Sequence, residues 1–252
     1  MTQRRLLLPE AWAAPTPAPL ELSGPRGHYL ARVLRLLPGQ ELLLFDGQGR
    51  ERPATIREVA RDGLRLALGP SGPAARPDGP TELALLAGLT RGAALDRVVR
   101  ETSELGVSEL RPVVCARSVA VPQAARRDER QARWQRIAGE AARQCGRATV
   151  PLVHAVTTLA EALRRLDTDA ADRWPVRLVG SPTATRPLAL SPASGPGVLL
   201  LVGPEGGLQD AELTLAEEHG FVPFRLGRRV LRAETAMVVG VALVQHQLGE
   251  LG

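Results

Sequence analysis

Two stretches near the C-terminus decide how this chain folds: Leu201-Val-Gly-Pro-Glu-Gly-Gly-Leu208 and Leu226-Gly-Arg-Arg-Val-Leu-Arg-Ala-Glu-Thr-Ala236. The first follows an apolar run, Val198 to Val202, which reads as a buried strand. Its glycines, Gly203, Gly206 and Gly207, permit a tight turn and let the backbone approach a ligand closely. The second follows another strand-like run, Phe221 to Leu226, and opens an apolar helix. Two glycine-bearing loops at the ends of neighbouring strands describe a small-molecule site at the edge of an α/β sheet.

Outward from these loops the pattern alternates. Strands are predicted over Leu83 to Ala87, Leu110 to Cys115, Val176 to Val179 and Val198 to Val202. Helices are predicted over Ala93 to Leu105, Arg126 to Cys145, Leu159 to Leu166, Ala211 to His219 and Ala233 to Leu248. Thr158 and Glu161 form a capping-box pattern, and Gly220 reads as a C-cap. Such alternation predicts a parallel sheet with helices on both faces. Residues 71–80, rich in Pro and Gly, read as a linker, because those residues oppose both helix and ladder. Upstream of it the runs are β-like: Glu41 to Phe45 before Asp46-Gly47, Ala54 to Val59 before Asp62-Gly63, then Leu64 to Leu68. A helix with Leu30, Val33, Leu34 and Leu37 on one face interrupts them. The predicted organisation is a small β-barrel over 1–70, a linker over 71–80, and an α/β domain over 81–252.

At 252 residues and 44% hydrophobic the chain can bury a substantial core, built of Leu, Val and Ala because only 3% is aromatic. All 32 basic residues are Arg. The absence of Lys excludes a Walker A loop, a Schiff base and a lysine general base, and leaves cations suited to bidentate phosphate contact. The net charge of +5 fits an anionic partner. Cys115 and Cys145 make neither a disulfide framework nor a zinc site and read as buried thiols. His154, His219 and His246 are scattered, so no metal is expected. Leu6 to Leu8 is too short for a signal peptide and no run is long enough to cross a bilayer, so a cytoplasmic protein without a membrane partner is expected.

The loop at 203–207 is not a dinucleotide fingerprint, since Gly-x-Gly-x-x-Gly does not occur there. Its pairing with Leu226-Gly227 and Val230-Leu231-Arg232 resembles the SPOUT RNA methyltransferases. Within them it is similar to the bacterial enzymes that methylate uracil N3 in 16S ribosomal RNA. The resemblance implies a PUA-like β-barrel at the N-terminus that holds RNA, and a C-terminal domain closed by a trefoil knot. It implies S-adenosylmethionine as donor, the small ribosomal subunit as partner, and a homodimer, for which the final apolar helix is a candidate contact.

An adenosine needs apolar walls and backbone groups for its base edge. The candidates are Leu178, Val179, Gly180, Val202, Gly203, Pro204, Glu205, Gly206, Gly207, Leu226, Gly227, Val230 and Leu231. Methylation at uracil N3 requires loss of a proton, taken by a base or eased by a cation at the developing enolate oxygen. Arg232 suits the cation role, and Glu234 and Glu205 are both candidate bases. Glu234 equally suits a helix N-terminus, as do Asp210 and Glu212 in the preceding helix.

Nine Arg against three acids occupy the segment from Arg111 to Arg147, where Arg126, Arg130 and Arg133 lie beside a Trp134-Ile137-Ala138-Ala141-Cys145 stripe. These, with Arg117, Arg147, Arg228, Arg229 and the N-terminal Arg4, Arg5, His28, Arg32 and Arg35, are the candidate RNA contacts. One departure stands out: the family's usual Lys-Ala-Thr-Glu-Leu-Gly-Val reads Glu101-Thr-Ser-Glu-Leu-Gly-Val107 here. Two other readings stay open, a superfamily relative acting on ribose 2′-hydroxyls or transfer RNA, and a non-catalytic ribosome-assembly factor.

Overall fold

A computed structural model of the protein describes residues 4–12, 19–33, 36–61, 63–119, 121, 123–169, 172–190 and 197–252. The chain divides into two units, Met1–Asp78 with Ala142–Val150, and Gly79–Ala141 with Pro151–Gly252.

In the first unit β1 (Arg5–Leu7), β2 (Leu20–Ser23), β3 (Glu41–Phe45), β4 (Arg50–Ala60), β5 (Gly63–Leu68) and β6 (Gly72–Pro73) form one sheet in the order β1-β3-β4-β5-β2, with β6 on β4. Only β1 and β3 run parallel. In β2 the alternation is complete, Leu20 and Leu22 buried and Glu21 and Ser23 exposed, as a half-buried strand requires. Leu8, Leu30, Leu44, Ile56 and Leu66 fill the core beneath it. The Asp46-Gly47 turn forms as predicted. Its Asp46 Oδ1 accepts the N–H groups of Gln48 at 2.7 Å and Arg50 at 3.0 Å, and Gly47 takes φ +85°.

The helix expected here is shorter and lies earlier. It spans α1 (Gly24–His28) and one wider turn over Tyr29–Val33. Leu30 is buried, but Leu37 is 61% exposed, because Gln40 Oε1 captures its N–H and Gly39 (φ +85°) turns the chain into β3. Leu34 and Arg35 lie outside the described residues.

The stretch read as a linker is partly structured. Gly72–Pro73 pairs with Arg50–Glu51 at a sheet edge, a place where a ladder tolerates proline, and Ala74 is buried against Phe45 and Ala148. The chain returns at 142–150, where Val150 donates to Gly47 at 2.9 Å and Gly49 to Ala148 at 3.2 Å. No pattern in the sequence announces that return.

The second unit holds a seven-stranded sheet in which every pairing is parallel. Its strands are β7 (Glu82–Gly88), β8 (Glu109–Val114), β9 (Leu152–Val153), β10 (Thr157–Thr158), β11 (Val176–Gly180), β12 (Gly197–Val202) and β13 (Val222–Phe224). The order is β10-β8-β7-β12-β11-β13, with β9 on β8. All six residues of β12 are buried, which a strand covered on both faces demands. Leu199 and Leu201 pack with Leu163 and Leu166 of α4 (Leu159–Asp169) and Ala216 of α5 (Asp210–Glu218). Leu200 points the other way, to α6 (Ala233–Gln247), where a Cβ on Gly240 would stand 3.0 Å from Leu200 Cδ2. Beside α6 runs α2 (Ala94–Glu104), and Gln245 of α6 donates to the Leu105 carbonyl at 2.8 Å. A longer helix, α3 (Arg127–Cys145), follows β8. Half of the predicted capping box forms on α4, with Thr158 Oγ1 accepting the Glu161 N–H at 3.2 Å.

At the N-terminal edge of this sheet Glu109 is buried among His154 (2.8 Å), Arg111 (2.7 Å) and Arg173 (2.5 Å). Burial opposes its ionisation, but the His154 hydrogen bond and the Arg111 and His154 charges outweigh it and hold its pKa at about 2. A carboxylate depressed in the fold stabilises it fully above the ordinary Glu range and loses that contribution as pH falls towards 2. Glu109→Gln is expected to lower stability at pH 7 by about 3 kcal/mol and to remove much of the loss of stability between pH 5 and 2. Denaturant unfolding followed by circular dichroism across that range checks both.

Candidate functional site

Because the sheet is parallel, β11, β12 and β13 end on one edge, at Gly180, Val202 and Phe224. The loops that leave them enclose a cleft of about 380 Å³, within the range of small-molecule sites. Gly203 to Leu208 form one wall, Arg225 to Leu231 a second, and Gly180 to Thr183 a third. This is the crevice outside the carboxyl ends of strands where doubly wound sheets bind ligands.

The glycine-rich wall is set by its neighbours. A Cβ on Gly88 would lie 2.4 Å from the Pro204 nitrogen, so only glycine lets β7 and this loop meet. Gly207 has φ +69°, in the left-handed region, and donates to the Pro204 carbonyl at 2.8 Å to close the turn. Glu205 Oε1 accepts the Arg91 N–H at 2.8 Å. Glu212 completes a capping box with Gln209 and reaches across to the Ala116 N–H at 2.7 Å. Glu212 is therefore a brace as well as a carboxylate at a helix start. In the second wall the main chain of 226–231 makes no hydrogen bond with any described residue, so its donors and acceptors remain for a ligand or water.

Of the residues expected around a donor, Gly180, Val202, Gly203, Pro204, Glu205, Gly206, Gly207, Leu226, Gly227, Val230 and Leu231 line the cleft. Leu178 and Val179 do not. They lie within β11, both buried, and Val179 packs into the α4–α5 side of the core, because only a strand's end reaches the crevice. The sequence reading missed Ser181, Thr183 and Arg225, whose signal was their place just beyond a strand end, and Leu208 and Leu213, which come from the end of the glycine-rich loop and from α5. Of the reactive candidates only Glu205 is on the wall. Arg232 is exposed at the N-cap of α6, between the lining residues Leu231 and Ala233, and Glu234 is half-buried in the first turn.

The expected RNA-contact residues separate by burial. Arg228 and Arg229 are exposed on the cleft, joined by Arg225 and Arg117 against Glu205 and Asp210. Arg126, Arg32 and His28 are exposed, Arg4 is exposed beside β1, and Arg130 is half-buried. Arg133 forks onto Asp96 at 2.5 Å. Arg5 and Arg147 are corrections. Arg5 is held by Glu51 at 2.6 Å over the Phe45 ring, and Arg147 by Asp78 at 2.7 Å while its carbonyl accepts from Arg5. Both side chains are largely buried, and both charges are neutralised inside the first unit. Among the described residues no group of three or more His, Cys, Asp or Glu is arranged to hold a metal, and no helix is long and apolar enough to cross a membrane.

The model of the RNA methyltransferase domain family matches residues 77–245, and that of the RNA methyltransferase PUA domain matches residues 22–68. The chain belongs to this RNA methyltransferase family. It is 32% identical over 224 residues to a ribosomal RNA small subunit methyltransferase E of Synechocystis, covering 88% of this chain and 71% of that one. The enzyme of the same name from Mycobacterium tuberculosis is 30% identical, with 88% and 84% covered. Among solved structures, a Legionella pneumophila methyltransferase with bound S-adenosylmethionine has TM-score 0.85, 28% identity and 98% coverage of each chain. A ribosomal RNA small subunit methyltransferase E of Neisseria gonorrhoeae, also with S-adenosylmethionine, has TM-score 0.82 and 28% identity, covering 97% and 98%.

Glu101, which the resemblance singled out, has a structural partner. Glu101 pairs with Arg97 one turn earlier at 2.6 Å. The Glu101 hydrogen bond and charge raise the Arg97 pKa, and Glu234 adds to them from α6.

Of the two thiols expected to be buried, one is and one is not. Cys115, at the end of β8, is buried, and burial followed by the Glu212 charge pushes its pKa to about 12. Cys145 is exposed, because the last turn of α3 turns its stripe away from cover. Titration of the folded protein with a thiol-disulfide reagent at pH 8 is expected to count one reactive thiol, and two after denaturation. Cys145→Ser is expected to leave none in the folded protein.

Proposed function

We propose that this protein is an S-adenosylmethionine-dependent methyltransferase of 16S ribosomal RNA that acts at uracil N3 in the small ribosomal subunit. The observation that carries the donor is the cleft: glycine-rich, of about 380 Å³, with apolar side chains and an uncommitted main chain at 226–231. An adenosine fits that chemistry, because its base needs apolar faces and main-chain partners for its edge. Leu208, Leu213, Leu226 and Leu231 would supply the faces, and the main chain of 226–231 the edge contacts. Two relatives of this fold, at 28% identity, are described with that cofactor bound. When bound, S-adenosylmethionine supplies a methyl group carried on a sulfonium.

The chain's own residues would then do three things. Arg225, Arg228 and Arg229 meet the RNA backbone at the cleft mouth, where guanidinium forks suit phosphate. Arg232 stabilises the charge that develops on the uracil oxygen as N3 loses its proton. Glu205, the one candidate base on the wall, receives that proton. The N-terminal unit holds RNA as a PUA domain, with Arg4, His28 and Arg32 as exposed contacts. We include in this reading a trefoil knot around α6, a homodimer, and a cytoplasmic site of action on the ribosome.

The test is methyl transfer from labelled S-adenosylmethionine to small subunits lacking the modification, with nucleoside analysis of the product. Labelled N3-methyluridine in 16S RNA is the expected outcome, and label in a ribose or in transfer RNA overturns the substrate assignment. Arg232→Ala is expected to lower kcat about a hundredfold or more with donor affinity nearly unchanged. Equal loss of both would move Arg232 to the donor site.

A further inference from the structure

Arg117 stands on the turn that leaves β8, and its sequence context marks it for RNA phosphate. Its surroundings assign it elsewhere. Its Nη1 donates to the Gly206 carbonyl at 3.0 Å and to the Leu208 carbonyl at 3.4 Å. Its aliphatic stem lies across Gly206, where a Cβ would come within 2.8 Å of Arg117 Cβ and 3.3 Å of its Cδ. Gly206 is therefore a glycine because Arg117 occupies the space beside it. The same arginine lines the cleft.

The turn that carries Arg117 is itself locked. Ser118 Oγ accepts the Cys115 N–H at 3.0 Å, and the Ser118 N–H returns to the Cys115 carbonyl at 2.9 Å. Glu212 holds the intervening Ala116 N–H from the start of α5. A cation on a fixed turn thus grips two carbonyls of the glycine-rich wall, while Glu205 ties that wall to Arg91 on its other side. The carbonyls of a glycine-rich loop have few restraints of their own, since glycine admits many backbone conformations. An exposed side chain that bridges two of them does little for the folded core and much for the shape of the wall.

The geometry points to Arg117 as a positioning residue of the donor site: it sets the glycine-rich loop for S-adenosylmethionine and makes no contact with RNA on which binding depends. This inference rests on the donor reading proposed above. It predicts that removing the guanidinium weakens the donor and spares the RNA.

Calorimetric titration with S-adenosylmethionine, without RNA, separates the two roles when paired with methylation kinetics on small subunits. Arg117→Ala is expected to raise the donor Kd about tenfold, as loss of charge-assisted hydrogen bonds implies. The KM for subunits at saturating donor should stay within about twofold of its original value, since no phosphate contact is removed. Arg117→Lys is expected to recover part of the donor affinity, because one ammonium reaches a carbonyl but lacks the planar fork. A donor Kd for Arg117→Ala within about twofold of the unaltered protein overturns the inference, and a raised subunit KM beside it returns Arg117 to RNA. If Arg117→Ala does not fold, Ser118→Ala carries the test, since it frees the turn without touching the cleft. A rise in donor Kd supports the positioning role and an unchanged Kd overturns it. Failure of the unaltered protein to bind S-adenosylmethionine defeats the donor reading itself, and this role with it.

Discussion

Burial of β12 on both faces is the constraint on which the rest of the second unit depends. With Leu199 and Leu201 committed to α4 and α5 and Leu200 to α6, the strand has no side chain left for chemistry. Its neighbours run parallel to it, so the backbone of β12 that a ligand can reach lies at the strand's end. At Gly203 the chain must turn, and β7 approaches from behind so closely that Gly88 admits no side chain. The cleft is what remains once the helices have covered the sheet. Its walls are loops for that reason, and each loop needs bracing from outside itself, which Glu205, Glu212 and Arg117 provide.

Burial also sorts the charges. All the cations are Arg, so composition assigns no roles among them. Arg5, Arg111 and Arg147 lie largely buried beside carboxylates, where an unpaired charge would be costly, and each is neutralised in place. Arg225, Arg228 and Arg229 are exposed at the cleft, where the same side chain retains a field that an anion can meet. Glu101 and Glu205 divide in the same way. The first answers a neighbouring guanidinium on its own helix, and the second holds a main-chain N–H of another loop.

Much of the fold was legible because its signals are local. The strand at 198–202, the turn at Asp46-Gly47 and the helix closing at Gly220 each follow from residues within a few positions of one another. So did most of the cleft: a glycine loop directly after an apolar strand reads as a strand end. The errors share one cause, which is that the deciding partner is distant in sequence. Leu178 and Val179 look like a wall until the strand register places them inside the sheet. Ser181, Thr183 and Arg225 carry no motif, and reach the cleft only because β11 ends beside β12 and β13 beside β11.

The sequence by itself determined the alternation of strands and helices, the two glycine-bearing loops, the exclusion of lysine chemistry and the excess of cations, because each is a property of composition or of spacing along the chain. Tertiary structure alone decided the return of residues 142–150 to the first unit, the burial that removes Arg5 and Arg147 from the surface, and the placing of Arg117 over Gly206. The physical reason is that each of these joins groups tens of residues apart. Their meeting depends on sheet order and on which surfaces the core covers, and neither is written in any short stretch of the chain.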